Sequence, residues 1–406
     1  MLTTIIYRSH LCHDVPVKAL ESMVAEANLK NTEANVTGIL LFNGTHFFQL
    51  LEGPDQSVRR IYSDIGGDKR HYNIVELLCD HGPTRRFGKA GMELFDLREH
   101  PREEVLQTVL NRSTTHYQLT YNDRALQFFR TFVEATEKGN YFEIPPAESW
   151  EFVSTEVTDD LGPYRASTAR EYTLALQPII DPLAQEIIAL EALIFTPQGE
   201  ISDAYFDSLQ GDEIYEVDLV SKKVAFEMVR ERDLSGKILS INLLPMTLVK
   251  IPDAVDYLIH EIKTNGLVPE QIVVEFTEHE VVSGIEEFTR AVRVLKSAGI
   301  SVAIDNFGAG FAGLQLLAQF QPERIKINAE LIRDVHKSGP KQAIVQAIIN
   351  CCCSLEIVVS ALGVEKAEEW MWLESAGISH FQGKLFAAPY REGAPAIAWP
   401  EKKGLL

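Results

Sequence analysis

Ile304-Asp305-Asn306-Phe307-Gly308 closes a short apolar run that opens at Val302, ending it in a carboxylate, an amide and a glycine. A strand that delivers polar side chains at its C-terminal end is the building unit of an α/β barrel, where chemistry sits at strand ends and in the loops that follow. The pattern recurs on both sides. Glu191-Ala192-Leu193, Ile241-Asn242-Leu243-Leu244-Pro245 and Val274-Glu275-Phe276-Thr277-Glu278 precede it, and Ile325-Lys326-Ile327-Asn328 follows. Apolar spacing predicts strands at 174–180, 187–194, 238–243, 272–276, 302–304, 324–327 and 357–359, with helices at 217–230, 252–264, 286–297 and 341–352 between most of them. Seven or eight strands over this length fit a closed barrel whose first two strands, with no helix between them, can pair antiparallel. A doubly wound open sheet is the alternative fold.

Upstream the texture differs. Thr3–Tyr7, Val36–Phe42, His46–Leu51, Ile74–Leu78 and Met92–Phe95 read as strands, with Asn43-Gly44 as a two-residue hairpin turn. Val17, Leu20, Val24 and Ala27 mark one helix and Ser57–Ile65 a second, which makes a small α+β, ferredoxin-like domain. Helices are predicted at 101–112 and 122–137; the second carries Leu126, Phe128, Phe129, Phe132 and Val133, which need the preceding sheet, the next domain or a second copy of the chain to cover them. Turn residues dominate 144–170. The expected domains are therefore 1–97, a helical connector at 98–143, a linker at 144–170 and the barrel at 171–400.

The length of 406 residues suits such a multidomain chain, at about 150 residues per domain. With 38 Lys plus Arg against 58 Asp plus Glu, the net charge of -20 opposes a general grip on a phosphate backbone, so direct DNA binding is not expected. The first ten residues read as a strand rather than a signal peptide, and no apolar run is long enough to span a bilayer, so a cytoplasmic location is expected. Five cysteines, three of them consecutive (Cys351, Cys352, Cys353), lack zinc-knuckle spacing and read as small hydrophobes on a helix. Oxygen donors at several strand ends (Glu191, Asn242, Glu275, Asp305) with Lys326 nearby would suit Mg2+ or Mn2+, or would merely cap loops.

Residues 171–398 resemble the EAL domain family, through Gln177-Pro178, Glu191-Ala192-Leu193, Asn242, Glu275–Glu278, Asp305–Gly310, Lys326, Gly363-Val364-Glu365 and Phe381-Gln382-Gly383. That resemblance implies a barrel that hydrolyses cyclic di-GMP with two divalent cations. The departures are as specific as the matches. Phe195 stands where the family has an arginine, Asn306 follows Asp305 where it has paired aspartates, Asn328 replaces an aspartate, Leu362 replaces a glutamate, and Lys384 replaces a common aromatic. Two adjacent dications need anionic ligands to offset their repulsion, so a degenerate, non-hydrolytic site is expected, with Glu191, Asn242, Glu275 and Asp305 as a residual set. Loss of the guanidinium at Phe195 speaks against cyclic di-GMP binding.

Residues 1–95 resemble the BLUF family of blue-light receptors, through Tyr7-Arg8-Ser9, Asn31, Val36–Leu41, Phe47–Gly53, Arg85-Arg86-Phe87 and Gly91-Met92. The resemblance implies FAD held noncovalently between two helices, with Tyr7 and Gln49 in the photochemistry, Asn31 on the flavin ring and Met92 reporting outward. Phe128–Val133, Ser360–Val364 and Glu368–Glu374 are similar to a branch of this two-domain architecture whose EAL domain is degenerate. That similarity implies an antirepressor that binds a MerR-like repressor in the light and releases it from DNA. The alternatives are a light-regulated cyclic di-GMP phosphodiesterase and a non-hydrolytic module with another partner. A homodimer is the oligomer such relatives suggest.

Overall fold

The computed structural model describes residues 2–12, 20–83, 85–111, 124–134, 144–155, 173–195, 211–232, 234, 236–277, 285–310, 313–390 and 396–403. The predicted position Val17, and Glu278 of the strand-end pattern, lie outside them. The chain divides into two compact units: residues 1–144 with 334–344, and residues 145–333 with 345–406.

The first unit is a five-stranded sheet built from β1 (Leu2–Leu11), β2 (Thr37–Phe42), β3 (His46–Pro54), β4 (His71–Gly82) and β5 (Glu93–Asp96), in the order β4-β1-β3-β2-β5. Helices α1 (Leu20–Glu33) and α2 (Asp55–Gly66) belong to the same unit, as do α3 (Arg102–Asn111) and α4 (Arg124–Glu134). Successive side chains of a strand point to opposite faces, and both faces here are apolar. Tyr7, Phe47 and Leu51 join Leu20 and Val58 in one core, whereas Ile6, Phe48 and Leu50 join Val105, Phe129 and Phe132 in the other. The aromatic stripe of α4 is thus covered by the sheet, Phe48 lying 5.0 Å from Phe129 and 5.1 Å from Phe132 between ring centroids. Burying each such ring stabilises the unit by about 1.5–3 kcal/mol.

The hairpin between β2 and β3 turns one residue later than expected. Asn43 and His46 close the turn through Asn43 N–H to His46 O at 3.2 Å, so Gly44 and Thr45 are its central pair. Gly44 has φ +110, and the Asn43 side chain instead accepts from the Thr45 and His46 amides. An asparagine-glycine pair signals a turn, and here the side chain of the asparagine shifted its centre.

The second unit is a closed barrel formed by β7 (Thr173–Asp181), β8 (Glu186–Phe195), β9 (Leu239–Asn242), β10 (Ile272–Thr277), β11 (Ser301–Phe307), β12 (Arg324–Ile327), β13 (Val358–Ala361) and β14 (His380–Phe381). As expected, β7 pairs antiparallel with β8, and the open-sheet alternative is excluded. The eighth strand, β14, is two residues long, too short for a periodicity signal. Helices α5 (Glu213–Glu231), α6 (Thr247–Lys250), α7 (Ala254–Thr264), α8 (Ile285–Ser297), α9 (Gly313–Phe320), α10 (Ala329–Ile332), α11 (Gly339–Ser354) and α12 (Ala367–Ser375) accompany the strands. The stretch 144–170 contains β6 (Trp150–Ser154), which pairs antiparallel with β15 (Ala398–Lys402) and sets Trp150 4.9 Å from Trp370. Of the cysteine triplet on α11, only Cys352 is buried; Cys351 is half-buried and Cys353 exposed, because three consecutive helical residues cannot share one face.

Candidate functional site

In the first unit, the face of the sheet that carries Tyr7 and Gln49 forms with α1 and α2 a cavity of about 430 Å³. Tyr7, Asn31, Gln49 and Met92 all line it, together with Leu20, Val24, Ala27, Ile61 and Ile65. All four residues named from the sequence are therefore in one place. Tyr7 and Gln49 are direct cross-strand partners on β1 and β3, which is why a spacing of 42 residues brings them together. The Tyr7 hydroxyl donates to Gln49 Oε1, and Gln49 Nε2 donates to Met92 Sδ at 3.6 Å. Burial raises the Tyr7 pKa well above its ordinary value, with Tyr62 and Asp68 adding to it, so the phenol stays protonated.

Around this trio the chain is tightly constrained. Asn31 Nδ2 donates to Gly91 O at 2.8 Å, and the Met92 amide donates to Asn28 Oδ1 at 2.9 Å, so α1 grips the lead into β5. A Cβ on Gly91 would sit 2.3 Å from Asn28 O and 2.5 Å from Thr32 Oγ1, which only glycine avoids. Buried Glu52 accepts from the Arg86 and Phe87 amides at 2.8 and 2.7 Å and fixes the preceding loop. Asn28 was not singled out from the sequence, since a helix-face asparagine carries no motif by itself, and Glu52 entered only as part of the Phe47–Gly53 run, without a role.

In the second unit the strand-end residues converge. Lys326, 2% exposed, places Nζ 2.7 Å from Glu191 Oε2, 2.6 Å from Glu275 Oε2 and 3.6 Å from Asp305 Oδ1. Asn242 and Gln382 donate to the two Glu191 oxygens, each at 2.7 Å, and Gln382 also reaches Gln177 Oε1 at 3.3 Å. Burial pushes the Glu191 pKa up, but the Lys326 charge and three hydrogen-bond donors outweigh it and hold this carboxyl below its ordinary range. Burial raises both Glu275 and Asp305, with Lys326 opposing and neighbouring carboxylates adding. Three carboxylates thus share one lysine.

Three of the residues expected to mark a degenerate site lie around one short chain of hydrogen bonds or close to the barrel strands. Asn328 Nδ2 donates to Asn306 Oδ1 at 3.0 Å, and Asn306 Nδ2 donates to Asp305 Oδ2 at 2.9 Å. Asn306 has φ +54, a conformation that asparagine tolerates. Phe195 is buried at the end of β8, opposite Thr173, and Leu362 is half-buried after β13. The two distant motifs meet where Val364 N–H donates to Gln382 O at 3.1 Å; a Cβ on Gly383 would lie 2.1 Å from Val364 O. The amides of Gln177 and Gln382 belong to the site, which the strand-end pattern did not reveal.

The EAL domain family matches residues 164–389, more than half of the chain, and the family described as sensors of blue-light using FAD matches residues 2–93. The chain belongs to the EAL family and carries a BLUF domain. It is 60% identical, over 99% of its length and 100% of the relative's, to the blue light- and temperature-regulated antirepressor BluF of Escherichia coli K12. It is similar to Klebsiella pneumoniae BlrP1 in a calcium and cyclic di-GMP complex, with 39% identity, a TM-score of 0.89, and 99% and 100% of the two chains covered. BlrP1 with FMN and cyclic di-GMP and no metal ions gives 36% identity and a TM-score of 0.85 over the same shares.

FAD is accordingly the cofactor of the BLUF domain. The cavity fits a flavin: a slot between two helices, apolar at Leu20, Val24, Ala27, Ile61 and Ile65, with the amides of Asn31 and Gln49 and the Tyr7 hydroxyl on its wall and charged side chains such as Lys30, Arg60 and Arg70 also lining it, suits a flat aromatic ring edged by hydrogen-bonding groups and carrying a polar tail. Among the described residues no helix is long and apolar enough to cross a membrane.

Proposed function

We propose that this chain is a blue-light-responsive antirepressor. In this reading the BLUF domain senses light through FAD, and the EAL domain acts in the cytoplasm as a non-hydrolytic module that binds a MerR-like repressor and releases it from DNA. The reading is carried by the Asn328–Asn306–Asp305 chain of amide hydrogen bonds. Where a second dication would need carboxylates, two neutral side chains satisfy each other and cap the remaining aspartate. Full-length similarity to a protein named an antirepressor supports the same output.

On the sensing side, bound flavin supplies blue-light absorption and an electron acceptor. The protein residues would do the rest. The Tyr7 hydroxyl donates to Gln49 Oε1, so the other end of that amide must face away, and it meets Met92 Sδ. Rotating the Gln49 amide would exchange donor and acceptor: Tyr7 would then receive a hydrogen bond, and an oxygen would confront the thioether, which has no proton to give. Met92 would lose its contact, and α1, tied to the same segment through Asn28 and Asn31, would feel the change. In the loaded protein we assign Asn31 to the flavin ring. Tyr7→Phe and Gln49→Glu should each abolish the light-induced red shift of the flavin band; normal shifts in both would refute these roles.

Light-regulated phosphodiesterase activity is the second reading, favoured by the retained Glu191, Asn242, Glu275, Asp305 and Lys326 cluster and by the similarity to BlrP1. Those BlrP1 structures hold cyclic di-GMP, so the doubt that Phe195 raises about dinucleotide binding finds no support in them. Hydrolysis of cyclic di-GMP by flavin-loaded protein, in darkness and blue light with Mg2+ and then Mn2+, separates the readings. Light-enhanced turnover would overturn the antirepressor assignment, as would the absence of light-dependent capture of a MerR-type protein.

A further inference from the structure

The face of β1 opposite the flavin cavity presents Arg8, the residue after Tyr7, and its side chain is 8% exposed. Arg8 Nη2 donates at 3.0 Å to Oε1 of Gln342, a residue 334 positions away that is equally buried. Gln342 is committed at both ends: its Nε2 reaches the carbonyls of Val335 and His336 at 3.1 and 3.2 Å, closing the turn that precedes α11. Residues 334–344, within the EAL match by sequence, are thus structurally part of the first unit.

The strand that meets this segment is irregular at the same level. Ile6 pairs with Leu78 and Tyr7 with Glu76, leaving Leu77 as an extra residue; Arg8 pairs with Val75 and His10 with Tyr72, leaving a second. Two bulges on β4 therefore bracket the Tyr7-Arg8 dipeptide, and bulges re-aim side chains where pairing is interrupted. Ser338 forms a bridge with Glu76, the cross-strand partner of Tyr7. Gly339 comes so close that a Cβ would stand 2.9 Å from Glu76 O and 3.1 Å from Leu77 Cα.

We infer that residues 334–344 are an output contact of the light sensor, reading the state of Tyr7 through the Arg8–Gln342 hydrogen bond and the packing of Gly339 on the Leu77 bulge. This rests on the assignment of Tyr7 and Gln49 to the photochemistry. A change in the hydrogen bonding of Tyr7 shifts β1 against β4, and the contact sensitive to that shift is the one docked on their bulged pairing. The α11 helix begins at Gly339, so its first turn takes up the displacement.

The test is hydrogen–deuterium exchange of the full flavin-loaded chain in darkness and blue light, with the flavin spectrum read on the same sample. Illumination should change exchange in 335–344 by about tenfold, the effect of loosening one hydrogen bond to a charged partner. Gln342→Leu, which removes the acceptor and both donor contacts, should keep the red shift and lose the light–dark difference. Gln342→Glu, which keeps an acceptor for Arg8, should restore part of it. A normal red shift with identical exchange in 335–344 in both states would overturn this inference alone. A parent protein without a red shift would overturn the sensor assignment beneath it. Should Gln342→Leu misfold, Gly339→Ala tests the same contact from the packing side and should also reduce the light–dark difference; an undiminished difference in that variant would count against it.

Discussion

Lys326→Met should destabilise the barrel severely. The ammonium lies 2.6 and 2.7 Å from two carboxylates and 3.6 Å from a third, all in surroundings that solvent hardly reaches. Removing one partner of a buried ion pair costs about 3–5 kcal/mol because the other charge stays buried and unpaired. Here one deletion strands two hydrogen-bonded carboxylates, which places the expectation near about 5 kcal/mol. The assay is urea unfolding of the full chain in chelator, followed by tryptophan fluorescence. All four tryptophans (Trp150, Trp370, Trp372, Trp399) lie in the second unit, so the signal reports the barrel. With a slope of about 3 kcal/mol per molar, the midpoint should fall by about 1–2 M. A double change to Lys326→Met with Glu191→Gln should lose less than the sum of the single losses, since each removes part of the other's penalty. A midpoint shift below about 0.3 M in Lys326→Met would refute the argument that this lysine holds the cluster together.

Gly91→Ala should weaken flavin retention, because its Cβ would collide with Asn28 O and Thr32 Oγ1 and push α1 off the cavity; unchanged flavin content after gel filtration would contradict this. Phe129→Ala should cost about 3–5 kcal/mol, measured as loss of the cooperative transition of the first unit, since the ring is fully buried against Phe48 and Phe87. His10, its pKa lowered to about 4 by burial and then by His46 and Arg8, binds a proton less readily folded than unfolded. Its contribution to stability is therefore complete above about pH 6.5 and is lost as pH falls toward 4, by at most about 3 kcal/mol. Flavin release in urea, followed against pH, should flatten over that window in His10→Phe.

The barrel was legible because its strands carry, in or near their last residues, side chains that a simple core would not tolerate: Glu275, Asp305 and Lys326 each stand among apolar strand residues. Tyr7, Asn31, Gln49 and Met92 were legible as a set through family resemblance, whereas spacing alone would have left them as ordinary sheet and cap residues. What escaped has physical causes. Strand β14 is too short to show a period, and β6 becomes a strand through pairing with residues almost 250 positions away. The turn of the first hairpin moved by one residue because a side-chain hydrogen bond competed with backbone preference. Gln177 and Gln382 were visible only as family-motif positions; their contacts with Glu191 and each other could not be read from the sequence, because an amide is informative only once its neighbours are known.

The shortness of β14 reaches beyond the fold. Along the seam between the last and first strands of the barrel, Phe381 opposite Ile180 is the paired rung. Beside it Gln382 spans the gap to Gln177 and simultaneously holds Glu191, which in turn holds Lys326. The polar cluster is therefore also a clasp. Losing those side chains would loosen the barrel at this joint, so they brace the closure of the fold as well as forming the polar cluster.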